Sequence, residues 1–415
     1  MSDRALAPSS TGRIAVLGAG LAGSLTALKL ARTGFDVILI DAAADAMRGA
    51  SLHNEGKLHL GYVYGADQSG ETYARMIEGS LSFIRIVEEL TGHSIPPAAW
   101  SRPFIYGVMA DSRLHTTAIE DHLARVDAAI AAYPGAPADW PGGFAPARRL
   151  NSAELASRFN PDCVTAAFQT NEVSVDTRSL ANAVRNAIKT CPRITPLWNT
   201  RVQSARGGKH DTYILSLDHP DGCRDLGADF VINALWQNRL QIDASAGLPP
   251  AAAQLMRYKL AITLNLPPGQ IDTIPTATFV SGPYGDVVNH GDGRFYLSWY
   301  PACKLAETQD LDTGSLEHII AATDRSARYR ETLAALGEII PGLACAADKA
   351  TDIDIAGGFI MARGSSDITD ANSELHQRYR IGPRSVGNWI SVDTGKYCTA
   401  PSAALAAANM LLDVL

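Results

Sequence analysis

An α/β fold is predicted, with a Rossmann-like dinucleotide-binding unit and an interleaved, mainly antiparallel second unit. Three observations predict it. A short apolar strand, a Gly-rich loop, a helix and a second strand ending in Asp follow one another over residues 14–41. A further apolar run at 229–234 lies far downstream, so the parallel sheet draws on separated pieces of chain. Segments 257–266, 276–281 and 294–299 instead alternate apolar and polar side chains, the pattern of antiparallel strands with one exposed face.

The elements are justified in order. Ile14-Ala15-Val16-Leu17 is apolar at every position, as a strand buried on both faces requires. Gly18-Ala19-Gly20-Leu21-Ala22-Gly23 follows it. A helix over 24–33 carries Leu25, Leu28 and Leu30 and stops at Gly34. Val37-Ile38-Leu39-Ile40 is the second strand, with Asp41 at its end. Residues 42–67 are irregular and rich in Gly and His. Ile77, Leu81, Ile84, Val87 and Leu90 then set a helical spacing over 71–90. A strand (104–109), a helix (115–132) and a Pro/Gly-rich stretch (133–146) come next. Asn151 or Ser152 caps a short helix reaching Phe159. A strand and turn (166–175), a helix (179–190) and a hairpin built from 200–205 and 213–217 follow. After the three alternating strands, a helix over 316–340 is ended by Pro341. Strands at 353–361 and 389–392 and an Ala/Leu-rich helix over 403–415 complete the chain.

At roughly 100–200 residues per domain, the 415 residues divide into two units. The expected division gives 1–95, 147–250 and 342–415 to the dinucleotide unit, and 96–146 and 251–341 to the substrate unit. A hydrophobic fraction of 46% with 19% charged residues excludes a disordered or coiled-coil chain. Net charge is −7 and no basic run occurs, which argues against a nucleic-acid partner. Cys163, Cys191, Cys223, Cys303, Cys345 and Cys398 form no CxxC pair. They read as free, buried thiols in a reducing compartment, with no metal site. Residues 1–12 lack the basic-then-apolar order of a signal peptide, and no run reaches the ~20 apolar residues that span a bilayer. A cytoplasmic protein is expected.

The loop has a clear physical purpose. Gly18 permits the tight turn out of the strand, Gly20 lets a pyrophosphate approach the backbone, and Gly23 lets the helix pack on the sheet. The helix N-terminus supplies free N–H groups. Asp41, 18 residues past Gly23, is placed to accept from ribose hydroxyls. The loop alone does not separate NAD from FAD.

Four segments resemble the flavoprotein family of D-amino-acid oxidase, glycine oxidase and sarcosine oxidase. They are the unit just described, Ser51-Leu52-His53-Asn54-Glu55-Gly56-Lys57-Leu58-His59-Leu60-Gly61, Val231-Ile232-Asn233-Ala234, and Gly395-Lys396-Tyr397-Cys398-Thr399-Ala400-Pro401-Ser402. The second is locally similar to the L-2-hydroxyglutarate dehydrogenase-type members. The chain departs from the family at Leu235-Trp236-Gln237-Asn238-Arg239 and at Lys396-Tyr397, where glycines are usual.

The resemblance implies FAD as cofactor, in a FAD-binding domain of the D-amino-acid-oxidase type. The implied contacts are Gly18, Gly20, Leu21, Ala22, Gly23, Asp41, Ser51, His53, Asn54, Gly56, Val202, Asn233, Ala234, Gly395, Lys396 and Tyr397. A noncovalent flavin is favoured, with a covalent link through His53 as the alternative. It also implies hydride transfer from a C–H bond beside N or O to flavin N5, with electrons passed to oxygen or another acceptor. Lys396 is the candidate for positive charge at the flavin edge. His59 is the candidate base or substrate hydrogen-bond donor, and Lys57 a candidate for oxygen activation or substrate charge. A carboxylate-bearing small-molecule substrate needs a cation, assigned first to Arg363, with Arg257, Lys259 and Arg294 as alternatives. The expected function is therefore FAD-dependent oxidation of a small amine or amino acid. The alternatives are a 2-hydroxy acid dehydrogenase or oxidase, and a dinucleotide-binding protein without turnover.

Overall fold

The computed structural model describes residues 12–415 apart from 135–139, 210, 249, 251 and 371. The N-terminal stretch before Gly12 and part of the Pro/Gly-rich stretch at 133–146 lie outside the described residues.

The parallel sheet has the strand order Gly382–Val386, Trp389–Asp393, Phe230–Asn233, Ile14–Leu17, Val37–Ile40, Ile194–Leu197. Only the Gly382–Val386 pairing is antiparallel. Ile14–Leu17 is central and fully buried, which explains why none of its residues is polar. Ile194–Leu197 escapes sequence reading because it is an edge strand with exposed Thr195 and Pro196. The helix Leu21–Arg32 packs on the closing helix Ala400–Leu412, and both contact Glu71–Thr91. The first helix begins three residues earlier than the spacing suggests, because Gly20 occupies its N-cap.

The second sheet is built around the long strand Gln254–Asn265. It pairs antiparallel with Arg294–Trp299, Lys304–Thr308 and Thr351–Arg363. The sheet continues through Gly285–Asn289, Ala277–Val280, Ile105–Met109, Val164–Gln169 and Arg148–Arg149. Ala277–Val280 with Ile105–Met109 is parallel, and the other pairs are antiparallel. Strands within 147–250 and 342–415 thus join this sheet: 148–149, 164–169 and 351–363 pair here, whereas 230–233 and 389–393 pair in the parallel sheet. Sheet membership switches within those ranges because the chain crosses between the sheets more often than composition reveals.

Several expectations are corrected. The second sheet does not leave one face to solvent: 276–280 is buried throughout, and Thr278 turns its hydroxyl to Lys57 of the other unit. The expected helix over 316–340 is two helices, Glu317–Ala322 and Arg325–Ile339. Asp324 breaks it by accepting the Ala327 N–H as an N-cap, where the free backbone N–H groups need an acceptor. Pro341 begins the next helix, Pro341–Ala346, at a position where its missing N–H costs nothing. The hairpin Arg201–Gly207 with Tyr213–His219 forms, and a third strand, Gly222–Ala228, extends it. The short helix Ser152–Ala156 carries a full capping box between Asn151 and Glu154. The cysteines are unpaired, but Cys223 and Cys345 are exposed rather than buried. No described helix is long and apolar enough to cross a membrane.

Candidate active site

One cavity of about 500 Å³ runs between the two sheets, from the Gly18–Asp41 loop to Lys396. The loop end follows the chemistry of its glycines. Gly18 sits at φ +91°, and a Cβ there would meet the Ala234 carbonyl oxygen at 2.7 Å. A Cβ on Gly23 would lie 1.9 Å from the Gly18 oxygen, so Gly23 serves packing and does not line the cavity. A Cβ on Gly20 would meet only the Ser51 hydroxyl, at 3.0 Å. That leaves the Gly20 backbone open to a close-approaching phosphate group. Leu21 and Ala22 line the wall beside it, and Ser51 Oγ accepts the Leu21 N–H at 3.0 Å.

Asp41 lines the same end. Its carboxylate accepts from Ala19 N at 2.6 Å and Ala43 N at 2.8 Å. Burial raises its pKa, and those two N–H groups pull it back. Its first task is thus to hold the loop, with lone pairs left for a ribose. Asn54 locks the next turn: its amide donates to the Ala50 carbonyl at 2.8 Å and its oxygen accepts from Gly56 N at 2.7 Å. Gly56, at φ +66°, would place a Cβ 2.0 Å from the Val175 oxygen, so it shapes the turn without lining the cavity.

The far end is polar and cationic. His59, Lys57, Arg257, Arg378, Lys396 and Tyr397 line it, with Phe359, Ile360 and Met361 supplying apolar wall. Burial and then Lys396, Lys57 and Arg378 hold the His59 pKa well below the usual imidazole value, so His59 is neutral. Burial, then Arg378, push Lys396 down to about 8. Its ammonium stands 5.9 Å from the Tyr64 ring centroid. The Tyr397 hydroxyl is buried without a hydrogen-bond partner in the protein, and burial raises its pKa.

Lys57 belongs to a buried charged cluster next to His59. Lys57 donates to Thr278 Oγ1, and its Nζ is 3.8 Å from Glu172 and 3.6 Å from Asp286. The Lys57 ammonium also lies 3.9 Å from the Phe104 ring centroid. Glu172 accepts from the backbone N–H groups of Leu60 and Gly61 and from the Tyr106 hydroxyl. Burial raises the Glu172 pKa, and Lys57 opposes the rise. Burial pushes Asp286 up too, but Lys57 and Lys259 outweigh that and hold it below the usual range. Lys57 is therefore engaged by carboxylates rather than offered to a substrate.

Several expected residues lie elsewhere. Arg363 pairs in register with Gln254 at the end of its strand, two residues beyond the cavity-lining Met361, and reaches Glu374 at 3.8 Å. His53 does not line the large cavity. It lines a separate small cleft with Thr263, His290 and Asp354. Val202 buries its side chain in the core with Leu215 and Leu217, and strand alternation puts Arg201 on the cavity wall instead. Asn233 is wholly buried and donates to the Arg239 carbonyl and Asp243. Its neighbour Ala234 does line the cavity, followed by Leu235, Trp236, Gln237 and Asn238. Arg294 is held by Asp176 and Asp292, and Lys259 lies 4.0 Å from Asp286.

Arg257 is a cation of the site, while Arg378 and Glu172 were missed by sequence reasoning. Arg257 donates to Asp367 and to the Tyr300 hydroxyl, both at 3.0 Å. Arg378 follows no motif and reaches the site from a loop. Its main-chain N–H donates to Thr72 Oγ1, which ties that loop to the start of Glu71–Thr91.

The donor set fits FAD. An open glycine backbone could receive phosphates, an acid at the same end could accept from a ribose, and cations and a neutral imidazole at the far end could face an isoalloxazine.

The comparisons with known proteins agree. The family model described as DAO, FAD dependent oxidoreductase, matches residues 13–367. Among solved structures, glycine oxidase from Geobacillus kaustophilus superposes with a TM-score of 0.65 at 15% identity. Iminodiacetate oxidase from Chelativorans sp. BNC1 gives 0.65 at 23% identity. L-alpha-glycerophosphate oxidase from Mycoplasma pneumoniae, solved with FAD bound, gives 0.65 at 14% identity. Each alignment covers 97% of this chain and 95% of the other. These identities show a shared fold. No curated protein matches the chain by sequence. The family match spans the glycine loop, the Ser51–Gly61 segment and the second sheet, and the chain belongs to the DAO family of FAD-dependent oxidoreductases.

Proposed function

We propose that this enzyme oxidises a small amine or amino acid bearing a carboxylate. The observation that carries the reading is the convergence of Arg257, Arg378 and Lys396 on the cavity that also holds the dinucleotide loop. When bound, FAD supplies the two-electron acceptor for a hydride leaving the carbon beside nitrogen. The protein's residues do the rest. An arginine holds the substrate carboxylate through paired N–H donors. The three cations disfavour a bound ammonium, so the substrate nitrogen enters as the neutral amine whose lone pair must assist hydride loss. Lys396 would place positive charge beside the flavin edge, where it would favour the reduced form. His59, neutral and beside the reacting end, orients the substrate by a hydrogen bond. The electrons then pass to oxygen or another acceptor.

The neutral His59 also supports a second reading, oxidation of a 2-hydroxy acid, since a neutral imidazole accepts a hydroxyl proton. Anaerobic mixing of the yellow holoenzyme with amines, amino acids and hydroxy acids tests both. Bleaching by amines and not by hydroxy acids supports the first reading. The reverse supports the second, and bleaching by neither overturns both.

A further inference from the structure

The cationic end of the cavity carries more positive charge than a monocarboxylate neutralises. Arg378 has no carboxylate within ion-pair distance among the described residues, only the longer-range pull of Asp393, and its guanidinium donates to the Met361 carbonyl at 3.4 Å. It is nevertheless only 9% exposed. Lys396 likewise has no carboxylate within that distance among the described residues. Arg257, 2% exposed, is held by Asp367, which also receives Lys304 at 2.7 Å; Lys304 is itself paired with Glu307 at 3.1 Å, so the uncompensated charges are those of Arg378 and Lys396. The acids on the cavity wall are Asp41, at the opposite end and occupied by backbone N–H groups, and Glu55. Mutual repulsion is already felt: burial and then Arg257 lower Arg378 to about 10. A buried, weakly paired guanidinium is costly unless a ligand completes it.

We infer that the substrate carries two anionic groups, one held by Arg378 and the other by Arg257, with Lys396 left to the flavin. The chemical class is an amine bearing two acids: two carboxylates, or a carboxylate and a phosphonate. Both groups present the coplanar oxygen pairs that guanidinium forks bind. The anchors are preorganised: Arg257 sits mid-sheet, bonded to Asp367 and Tyr300, and Arg378 is tied to Thr72. This inference rests on the amine-oxidation reading only for the reacting nitrogen.

Two measurements on the holoenzyme test it. The first is titration with acids that cannot be oxidised, read from the shift in flavin absorbance. Succinate is expected to bind at least about tenfold more tightly than butyrate, and Arg378→Met to remove that preference. Phosphonoacetate against malonate identifies the second anion, and either one binding about tenfold more tightly than acetate supports the proposal. Equal affinities for monoacids and diacids in the wild-type enzyme overturn it, whatever the variant does. The second is anaerobic flavin reduction by aspartate and iminodiacetate against alanine and N-methylglycine. Equal reduction by the monoacids overturns the inference while leaving amine oxidation standing. Reduction by malate and by no amine overturns amine oxidation while supporting the two-anion site.

Discussion

The Lys57 ammonium lies 3.8 Å from Glu172 Oε2, with the two side chains 1% and 0% exposed. A conspicuous lysine in the Ser51–Gly61 segment is thus an internal counter-ion. It is shared between two carboxylates, Glu172 and Asp286, and Lys259 adds a second cation at Asp286. Glu172 in turn holds the backbone N–H groups of Leu60 and Gly61, next to His59. The charged cluster therefore sets where the His59 ring stands.

Removing only the cation should be severe. Lys57→Met leaves Glu172 without a cation in the interior and Asp286 with only Lys259 at 4.0 Å, and should destabilise the protein by about 3–5 kcal/mol. Adding Glu172→Gln should recover part of that loss, because the buried charge goes with it. Urea unfolding of both variants measures this. A single-variant loss under about 1 kcal/mol would contradict the buried-pair account.

The second and third glycines of the loop should separate binding from folding. Gly20→Ala adds a methyl that meets only Ser51 within the protein, so it should fold normally and lose flavin. Gly23→Ala drives a methyl into the Gly18 carbonyl and should lower Tm even without flavin. Tm and the absorbance ratio of flavin to protein, measured on both, distinguish the outcomes.

Anion binding should weaken as pH rises through about 8. Lys396 has its pKa lowered to about 8, so it is charged below that pH and loses its charge above it. The groups facing it are Arg378, lowered only to about 10, Arg257, the Cys398 thiol, raised to about 11, the acid Glu55, the Tyr64 ring and the neutral His59. Of these, none removes positive charge near pH 8. The Kd of an unreactive carboxylate should be flat on the acid side and rise up to about tenfold per pH unit above 8. Lys396→Met should bind more weakly and show no such break.

His59 should contribute to rate without contributing a pH limb. Its imidazole is kept neutral by burial and three cations, so it does not charge in the working range. His59→Asn should slow anaerobic flavin reduction by about 10- to 10²-fold while leaving the acid limb in place. Loss of that limb in the variant would make His59 a titrating base.

Arg363 should be nearly silent. Its side chain is 35% exposed and lies 3.8 Å from Glu374, an exposed ion pair worth about 0–1 kcal/mol. Arg363→Met should leave KM for carboxylate substrates within about twofold, whereas Arg378→Met should raise it by about 10² or more. Steady-state kinetics on the two variants decide between the arginines.

The sequence by itself determined the cofactor half of this protein. Ile14–Leu17, Gly18, Gly20, Gly23 and Asp41 are readable because their spacing is dictated locally. A strand buried on both faces must be apolar throughout, and a phosphate can approach only a backbone without Cβ atoms. The family resemblance of 51–61 and 395–402 brought Ser51, Asn54, His59 and Lys396 to the same cavity for related reasons. Only the tertiary structure decided the substrate end. Arg257 and Arg378 are more than a hundred residues apart in the chain, and no local pattern relates them. Arg363 looked the better anchor than Arg257, but its place two residues beyond the cavity-lining Met361 carries it past the cavity. Glu172 and Lys57 become partners through the pairing of Lys57–Leu58 with Val173–Ser174, which no local pattern signals. Charge at the site is a sum over distant segments, so it exists only once the two sheets have closed on each other.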